Sequence, residues 1–142
     1  MTSQPVANPR RVFVDTSAYF ALVNDRDIDY PRVLAIATRL TAEGRRLFTT
    51  NFVLAETHAM VLRRLGREVA VRVLDEIDQG SAKIVRVSAR DERRARQIVT
   101  RYTDKDFSLT DALSFAVMER LRIAYAFTLD DDFAQYGYQI VD

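Results

Sequence analysis

The chain has 142 residues, a formal net charge of +1 at pH 7 and 48% hydrophobic residues, which is typical of one folded domain with a substantial core. It contains no cysteine, which excludes thiol nucleophiles, disulfides and thiolate metal sites, and its one histidine leaves little scope for a histidine-based triad or zinc site. No apolar run approaches the ~20 residues that a membrane span needs, so we expect no membrane segment.

The first nine residues are polar, include Pro5 and Pro9, and lack the apolar core of a signal peptide. We therefore expect residues 1–9 to form a flexible tail and residues 10–142 to form one domain. We also expect the protein to be cytoplasmic rather than secreted, and the lack of cysteine agrees with that location.

Residues 12–14 form a continuous apolar run, Val-Phe-Val, which predicts a strand buried on both faces. This strand ends at Asp15, and Thr16 and Ser17 precede a helix predicted over residues 18–24. Any of these three polar residues can cap that helix. Ligands of parallel α/β sheets bind beyond the carboxyl ends of the strands, however, so Asp15 is equally a candidate site residue.

The middle of the chain alternates helices with short strands. Helices are predicted over residues 30–44, 52–65, 67–79 and 88–102, and strands over residues 47–50 and 83–87. The chain has 19 arginines against 2 lysines, and the fourth of these helices is rich in arginine. These arginines form either a solvated helix face or a track for RNA phosphates.

Glu56 stands out in the helix predicted over residues 52–65. At 3.6 residues per turn it falls on a partly apolar face, where an unpaired charge is costly. An ion pair with Arg63 or Arg64 on the surface is the structural alternative. His58 points away from Glu56 on the same helix, so we expect it to be structural or exposed.

Two more groups of acids follow in the last third of the chain. Asp111 lies in the first turn of a helix predicted over residues 109–122, where it and the serine three residues earlier have the spacing of a capping box. A strand over residues 124–129 then ends at Asp130-Asp131-Asp132, and residues 138–141 predict a final edge strand. This alternation of strands and helices is that of a doubly wound α/β sheet with short connections.

Four of these acids are expected to meet at one edge of the sheet. Asp15 and Asp130 each follow a strand, Glu56 lies near the start of a helix that follows a strand, and Asp111 joins them if its helix begins at that edge. Carboxylates 4 Å apart repel by ~4 kcal/mol at an effective dielectric of about 20, and a divalent cation removes that repulsion. Oxygen ligands without histidine or cysteine favour Mg²⁺ or Mn²⁺, which indicates metal-assisted hydrolysis of a phosphodiester.

Four segments of the chain together resemble the PIN domain, and within it the VapC-type toxin ribonucleases. These segments are residues 14–17, 50–56, 107–112 and 128–133, in the order and roughly the spacing of that family. The resemblance implies a three-layer α/β/α fold with a mainly parallel sheet of about five strands. It also implies Mg²⁺- or Mn²⁺-dependent cleavage of RNA, a homodimer, and a small antitoxin protein that blocks the site.

The resemblance also assigns the site residues. Asp15, Glu56 and Asp111 match three core acids of the family, and Asp130 best matches the fourth, with Asp132 as an accessory acid or as the alternative to Asp130. The family's polar positions near the metal correspond to Ser17 and Thr128, with Asn51 either as a further neighbour or as a helix cap.

The resulting hypothesis is a metal-dependent endoribonuclease, and two other classes of protein stay open. The first is an acidic-pocket phosphotransfer protein or phosphatase. Against it, Ser17 stands where common phosphatases carry a second aspartate, and Lys83 and Lys105 are the only lysines available to such a pocket. The second is a module that binds RNA or protein without cutting, for which a missing acid would be the expected signature.

Overall fold

The computed structural model describes residues 9–142, so the predicted tail of residues 1–9 lies, except for Pro9, outside the described residues. The strands are β1 (Arg11–Val14), β2 (Arg46–Thr50), β3 (Lys83–Val85), β4 (Tyr125–Phe127) and β5 (Gln139–Ile140). The helices are α1 (Thr16–Val23), α2 (Tyr30–Ala42), α3 (Asn51–Leu65), α4 (Arg67–Gln79), α5 (Ala89–Arg101), α6 (Leu109–Leu121) and α7 (Asp132–Tyr136).

The five strands form one parallel sheet in the order β3-β2-β1-β4-β5. Val12, Phe13 and Val14 of the central strand are at most 2% exposed, which confirms the strand buried on both faces. From β1 the chain moves to β2 and β3 on one side and places β4 and β5 on the other. The strand order therefore reverses between β1 and β4, and a reversal of this kind opens a crevice at the carboxyl ends of the strands.

Helices cover both faces of this sheet. α1 and α2 pack against Val12 and Val14 on one face, and α5 and α6 pack against Phe13 and Phe48 on the other. Helices α3 and α4 pack together and against α1 in a third apolar cluster. The predicted three-layer α/β/α fold with a five-stranded parallel sheet is thereby confirmed. None of the helices in the described part of the chain is both long and apolar enough to cross a membrane.

The start of α3 differs from the prediction, because Thr50 rather than Asn51 caps this helix. Thr50 has the extended backbone that a capping residue adopts, and its hydroxyl accepts the N–H of Val53 at 3.1 Å. Asn51 is already helical, and its side-chain oxygen accepts the N–H of Val87 at 3.0 Å. Asn51 therefore ties the start of α3 to the connection between β3 and α5.

Several other boundaries shift by a few residues. α1 begins at Thr16, two residues before the predicted start, and the strands predicted over residues 83–87, 124–129 and 138–141 are each shorter in the structure. The short helix α7 was not predicted, because five residues are too few to establish a helical periodicity. It ends at Gly137, whose φ of +123° suits glycine.

Arginines of α5 and α6 fix the packing of these two helices. Arg94 of α5 donates from Nε to Glu119 of α6 at 2.9 Å and from a terminal nitrogen to the Tyr136 hydroxyl at 3.3 Å, so it is structural. The other arginines of α5 are exposed, and no ion pair of theirs is described: Arg90, Arg93, Arg96 and Arg101. These four are compatible with either of the predicted roles.

Arg120→Met is expected to destabilise the protein by breaking a partly buried ion pair. Arg120 donates to both carboxylate oxygens of Asp91 at 2.8 and 2.9 Å, and the Asp91 side chain is 3% exposed. Removing the partner of a buried charge typically costs 3–5 kcal/mol, and partial exposure of Arg120 reduces our expectation to about 2 kcal/mol, or a Tm lower by about 6 °C. Thermal unfolding followed by circular dichroism measures this loss.

Arg72→Met is the matched control, because Arg72 pairs with Glu76 on an exposed helix surface at 3.6 Å. Its replacement is expected to change stability by less than about 0.5 kcal/mol. Equal Tm values for the two variants would contradict the structural role given to the Arg120–Asp91 pair.

Candidate metal centre

Asp15 lies at the end of the central strand, at the crevice between β1 and β4. Its backbone occupies the capping position of α1, but its side chain makes no capping hydrogen bond. The side chain is buried, and Oδ2 instead accepts the hydroxyls of Ser17 at 3.1 Å and Thr128 at 2.9 Å. Helix capping therefore does not explain this buried carboxylate.

Ser17 and Thr128 join the end of β1 to the end of β4. Each hydroxyl has one proton to donate, and both protons are directed to Asp15. Each hydroxyl oxygen also accepts a backbone N–H, from Leu129 to Ser17 at 2.8 Å and from Asp130 to Thr128 at 3.0 Å. The predicted polar neighbours thus orient Asp15 and the segment that carries Asp130.

Three further carboxylates converge beside this junction. Asp111, Asp130 and Asp132 each offer one oxygen, and these three oxygens lie within 4.8 Å of one another. Asp111 is the third residue of α6, and its carboxylate lies beside those of Asp130 and Asp132, which follow β4. Helix α6 therefore begins at the edge where the strands end, as expected. The N–H of Asp132 donates to Oδ1 of Asp130 at 3.0 Å and fixes the short turn between these two acids.

Asp111 has a structural role as well. Its Oδ2 accepts the N–H of Ser108 at 3.2 Å, while its own N–H donates to the Ser108 hydroxyl at 3.0 Å, which completes the predicted capping box. The carboxylate is 9% exposed and still contributes an oxygen to the group with Asp130 and Asp132. The capping box thus holds this acid in place at the edge of the sheet.

The pKa values of Asp15, Asp111 and Asp130 rise because burial and like charges disfavour ionisation. Burial raises the pKa of Asp15 to about 6, with a smaller contribution from the charge of Glu56, against the hydrogen bonds that stabilise its anion. Burial, the adjoining Asp132 and the charges of Asp15 and Asp130 raise the pKa of Asp111 to about 7. The pKa of Asp130 is also raised, first by burial and then by the charges of Asp132 and Asp131.

The carboxylate of Glu56 does not belong to the group of three converging carboxylates. It lies on α3, half-buried, and its Oε1 accepts the hydroxyl of Thr16 at 2.5 Å. Its charge reaches Asp15, as the raised pKa of Asp15 indicates, but its oxygens are not among those of the compact group. The structure therefore brings the predicted acids to one edge in two parts, a compact group and a pair formed by Asp15 and Glu56.

Two polar residues differ from their sequence interpretation. Asn51 uses its side-chain oxygen on Val87, so its predicted place near the metal stays a prediction. Thr16 was considered only as a possible helix cap, yet its buried hydroxyl binds Glu56. The only sequence signal for Thr16 was its position directly after Asp15, because its partner lies 40 residues away in the chain.

The donor set suits a hard divalent cation. The side chains are carboxylates, and burial together with the charges of neighbouring acids raises the pKa values of Asp15 and Asp111, so a counter-charge would stabilise their ionised forms. Oxygen donors of this kind suit Mg²⁺ and Mn²⁺. The residues present therefore fit a metal centre.

An apolar cavity in the described part of the chain lies elsewhere. It has a volume of about 220 Å³, is lined mainly by apolar groups of α1, α2 and α4 such as Leu22, Ala37 and Ile77, and contains none of these acids. We place the candidate centre at the acids rather than in this cavity, because charge and hydrogen bonding converge there. An open, acidic edge suits a polymer substrate better than an apolar cavity does.

Comparison with known proteins identifies related sequences. The family model of the PIN domain matches residues 12–138. The 23S rRNA-specific endonuclease VapC20 of Mycobacterium tuberculosis is 34% identical over 128 residues, which cover 89% of this chain and 95% of that protein. Ribonuclease VapC26 of the same organism is 27% identical over 119 residues, covering 84% of this chain and 86% of the relative.

Solved structures agree with these sequence relationships. The crystal structure of VapC20, described as a toxin that cleaves the sarcin-ricin loop, superposes with a TM-score of 0.79 at 33% identity and covers 89% of this chain and 95% of that one. VapBC2 of Rickettsia felis, solved bound to a DNA fragment from its promoter, gives a TM-score of 0.64 at 20% identity, with 93% and 97% covered. The latter likeness concerns the fold alone.

Proposed function

This chain belongs to the PIN-domain family, and on that premise we propose that it is a metal-dependent endoribonuclease that acts as the toxin of a toxin–antitoxin pair. The observation that carries the proposal is the group of three carboxylate oxygens within 4.8 Å of one another, beside the buried Asp15. The endonuclease and ribonuclease activities in the names of VapC20 and VapC26 support RNA as the substrate.

In this proposal the acids have different roles in one hydrolytic site. A bound Mg²⁺ or Mn²⁺ ion would supply charge stabilisation for the phosphodiester and a water of lowered pKa. Asp15, Asp111, Asp130 and Asp132 would hold the ion, directly or through water. Glu56 would hold the ion or orient the attacking water, and its Oε2 is free of the Thr16 hydroxyl, which binds Oε1.

Ser17 and Thr128 contribute by holding Asp15. Both of their protons point to Oδ2 of Asp15, and hydrogen bonds to the charged form of a carboxylate favour that form. A buried carboxylate with a pKa of about 6 is thereby kept available for a cation near neutral pH. These residues orient the acid and do not need to contact RNA.

Cleavage of RNA by the purified protein tests the proposal. We expect endonucleolytic products with Mn²⁺ or Mg²⁺ and none with a chelator, and readdition of the metal should restore them. Binding of RNA without turnover at saturating Mn²⁺ would instead favour a non-cleaving module. A stable adduct of an acyl-phosphate analogue on Asp15 would favour aspartyl phosphotransfer.

The proposed partners are a small antitoxin protein and a second copy of this chain. Occupation of the acidic edge by an antitoxin would block access of RNA to the carboxylates. Co-expression with the product of the neighbouring reading frame tests this partner through loss of RNA cleavage. Sedimentation equilibrium tests the homodimer, and a monomer at all concentrations would exclude it. We also propose a cytoplasmic location, where an RNA substrate and an antitoxin would meet the protein.

Asp130→Asn and Asp132→Asn are each expected to weaken Mn²⁺ binding by roughly 10-fold, because each removes one charge from the compact group. Asp130 should show the larger effect, since its Oδ1 is also held by the N–H of Asp132 and so is the better ordered of the two. Isothermal titration with Mn²⁺ measures both variants. A larger loss at Asp132 would make that residue the fourth acid instead.

A further inference from the structure

The carboxylate of Glu56 has one described partner. Glu56 lies on α3, whereas the other acids of the site lie on the β1–α1 junction, on α6 and between β4 and α7. Among residues 9–142, the described hydrogen bond of its side chain is the one from the Thr16 hydroxyl to Oε1 at 2.5 Å, and no ion pair of Glu56 is described. A glutamate side chain has several rotatable bonds, so a single strong contact has a large influence on where its oxygens lie.

Thr16 has no competing use for its hydroxyl. It is the first residue of α1, so no preceding helical turn offers a carbonyl oxygen to it. The capping position belongs to Asp15, and no side chain caps α1. Thr16 is 3% exposed, so water does not compete for the hydroxyl, and buried hydroxyls need a partner.

Three consecutive residues therefore connect separate parts of the site. Asp15 supplies a carboxylate, Ser17 binds the segment between β4 and α7 through the N–H of Leu129, and Thr16 binds α3 through Glu56. Helices α1 and α3 also pack together through apolar residues. The packing of α1 against α3 thus fixes the position of Thr16. The hydrogen bond from its hydroxyl then restricts where the carboxylate of Glu56 can lie.

We propose that Thr16 is a positioning residue that holds Glu56 in its working orientation, leaving Oε2 to hold a cation. The proposal rests on the function proposed above for Glu56. A bonded Oε1 fixes the plane of the carboxylate, and hydroxyl donation to a carboxylate is a charge-assisted hydrogen bond. Thr16 itself does not contact RNA in this role, so its loss should affect the metal and the chemical step rather than the binding of RNA.

Thr16→Val tests the proposal, because valine keeps the shape of threonine and removes the hydroxyl. Loss of a residue that orients a metal ligand typically costs 10–100-fold in metal affinity or activity. We expect the Kd for Mn²⁺, measured by isothermal titration, to rise by about 10-fold and kcat for RNA cleavage to fall by a similar factor. The KM for RNA should stay unchanged. Thr16→Ser restores a hydroxyl at the same position and should return both quantities close to wild type.

Thr49→Val is the matched control for a buried threonine that loses one hydrogen bond. Thr49 is 1% exposed and donates from its hydroxyl to the carbonyl of Val14 at 2.9 Å, with no acid involved. Both variants should lower Tm to a similar extent, but only Thr16→Val should change Mn²⁺ affinity. Equal changes in Mn²⁺ affinity for the two variants would mean that Thr16 is structural only, and would overturn the proposal.

A double-mutant cycle with Glu56→Gln separates this inference from the proposed function. If Thr16 acts through Glu56, Thr16→Val should cause no further loss of Mn²⁺ affinity in a Glu56→Gln background. Full additivity of the two losses would refute the inference even if the protein cleaves RNA. Conversely, absence of RNA cleavage by the wild type would refute the proposed function, while the Mn²⁺ cycle would still report on Thr16.

Discussion

Asp15→Asn is expected to lower kcat/KM for RNA cleavage by about 1,000-fold or more, which corresponds to ~4 kcal/mol of lost transition-state stabilisation. Asparagine keeps the shape of the side chain and can still accept the hydroxyls of Ser17 and Thr128. It removes, however, the charged oxygens that would hold a cation at the end of the central strand. Cleavage of a labelled RNA with Mn²⁺, under single-turnover conditions, measures the loss.

The fold should survive this substitution. Asp15 is buried, and its raised pKa means that the folded protein disfavours its charge, so the metal-free variant should be at least as stable as wild type at pH 8. Asp131→Asn is the matched control, because Asp131 is exposed and lies outside the compact carboxylate group. Full activity of Asp15→Asn, or equal losses in the two variants, would contradict the proposed site.

The metal-free protein is expected to lose stability as pH rises from about 4 to about 7. Asp15 has a pKa of about 6 in the folded protein against 3.8 when unperturbed, and the pKa of Asp111 rises to about 7. The folded state therefore binds these protons more tightly than the unfolded chain. Stability is highest while both acids are protonated and falls as each one ionises, and for Asp15 alone this costs about 3 kcal/mol.

Asp91 and Glu119 have the opposite effect on how stability changes with pH, and their effect appears at lower pH. Asp91 is buried and Glu119 is exposed; desolvation acts to raise the pKa of each carboxyl, but hydrogen bonds from Arg120 and Arg94 leave both pKa values lowered. Their stabilisation is present above their unfolded pKa values and is lost as pH falls. The Tm of the metal-free protein should therefore pass through a maximum near pH 4 to 5 rather than rise steadily towards neutral pH.

Mn²⁺ should reverse the loss at high pH. At 100 times its Kd, a ligand that binds only the folded state adds about 2.7 kcal/mol, or roughly 8 °C in Tm for a domain of this size. The increase should be larger at pH 8 than at pH 5, because protons compete with the cation for the same carboxylates. Differential scanning fluorimetry at both pH values measures it. An increase that is independent of pH would place the cation elsewhere, and Asp15→Asn should reduce the increase.

The sequence by itself determined the class of fold and indicated which acids to expect at the edge of the sheet, with Asp130 and Asp132 left as alternatives. The apolar run of residues 12–14 required a strand buried on both faces, and alternating strands and helices with short connections required a parallel sheet. Asp15 was found because it directly follows such a strand, and Asp130 because it directly follows the strand predicted over residues 124–129, although β4 itself ends at Phe127. These signals are local, since the period of the apolar residues and the position of a polar residue after a strand can be read within a few residues.

The tertiary structure decided how those acids are arranged. Capping signals alone left a purely structural explanation of Asp111 open, and only the packing of α6 showed that the capping carboxylate also lies beside Asp130 and Asp132. The contacts of Thr16 with Glu56 and of Ser17 with Thr128 join residues that are 40 and 111 positions apart. No local pattern specifies such pairs, because they depend on how α1 packs on α3 and on the pairing of β1 with β4.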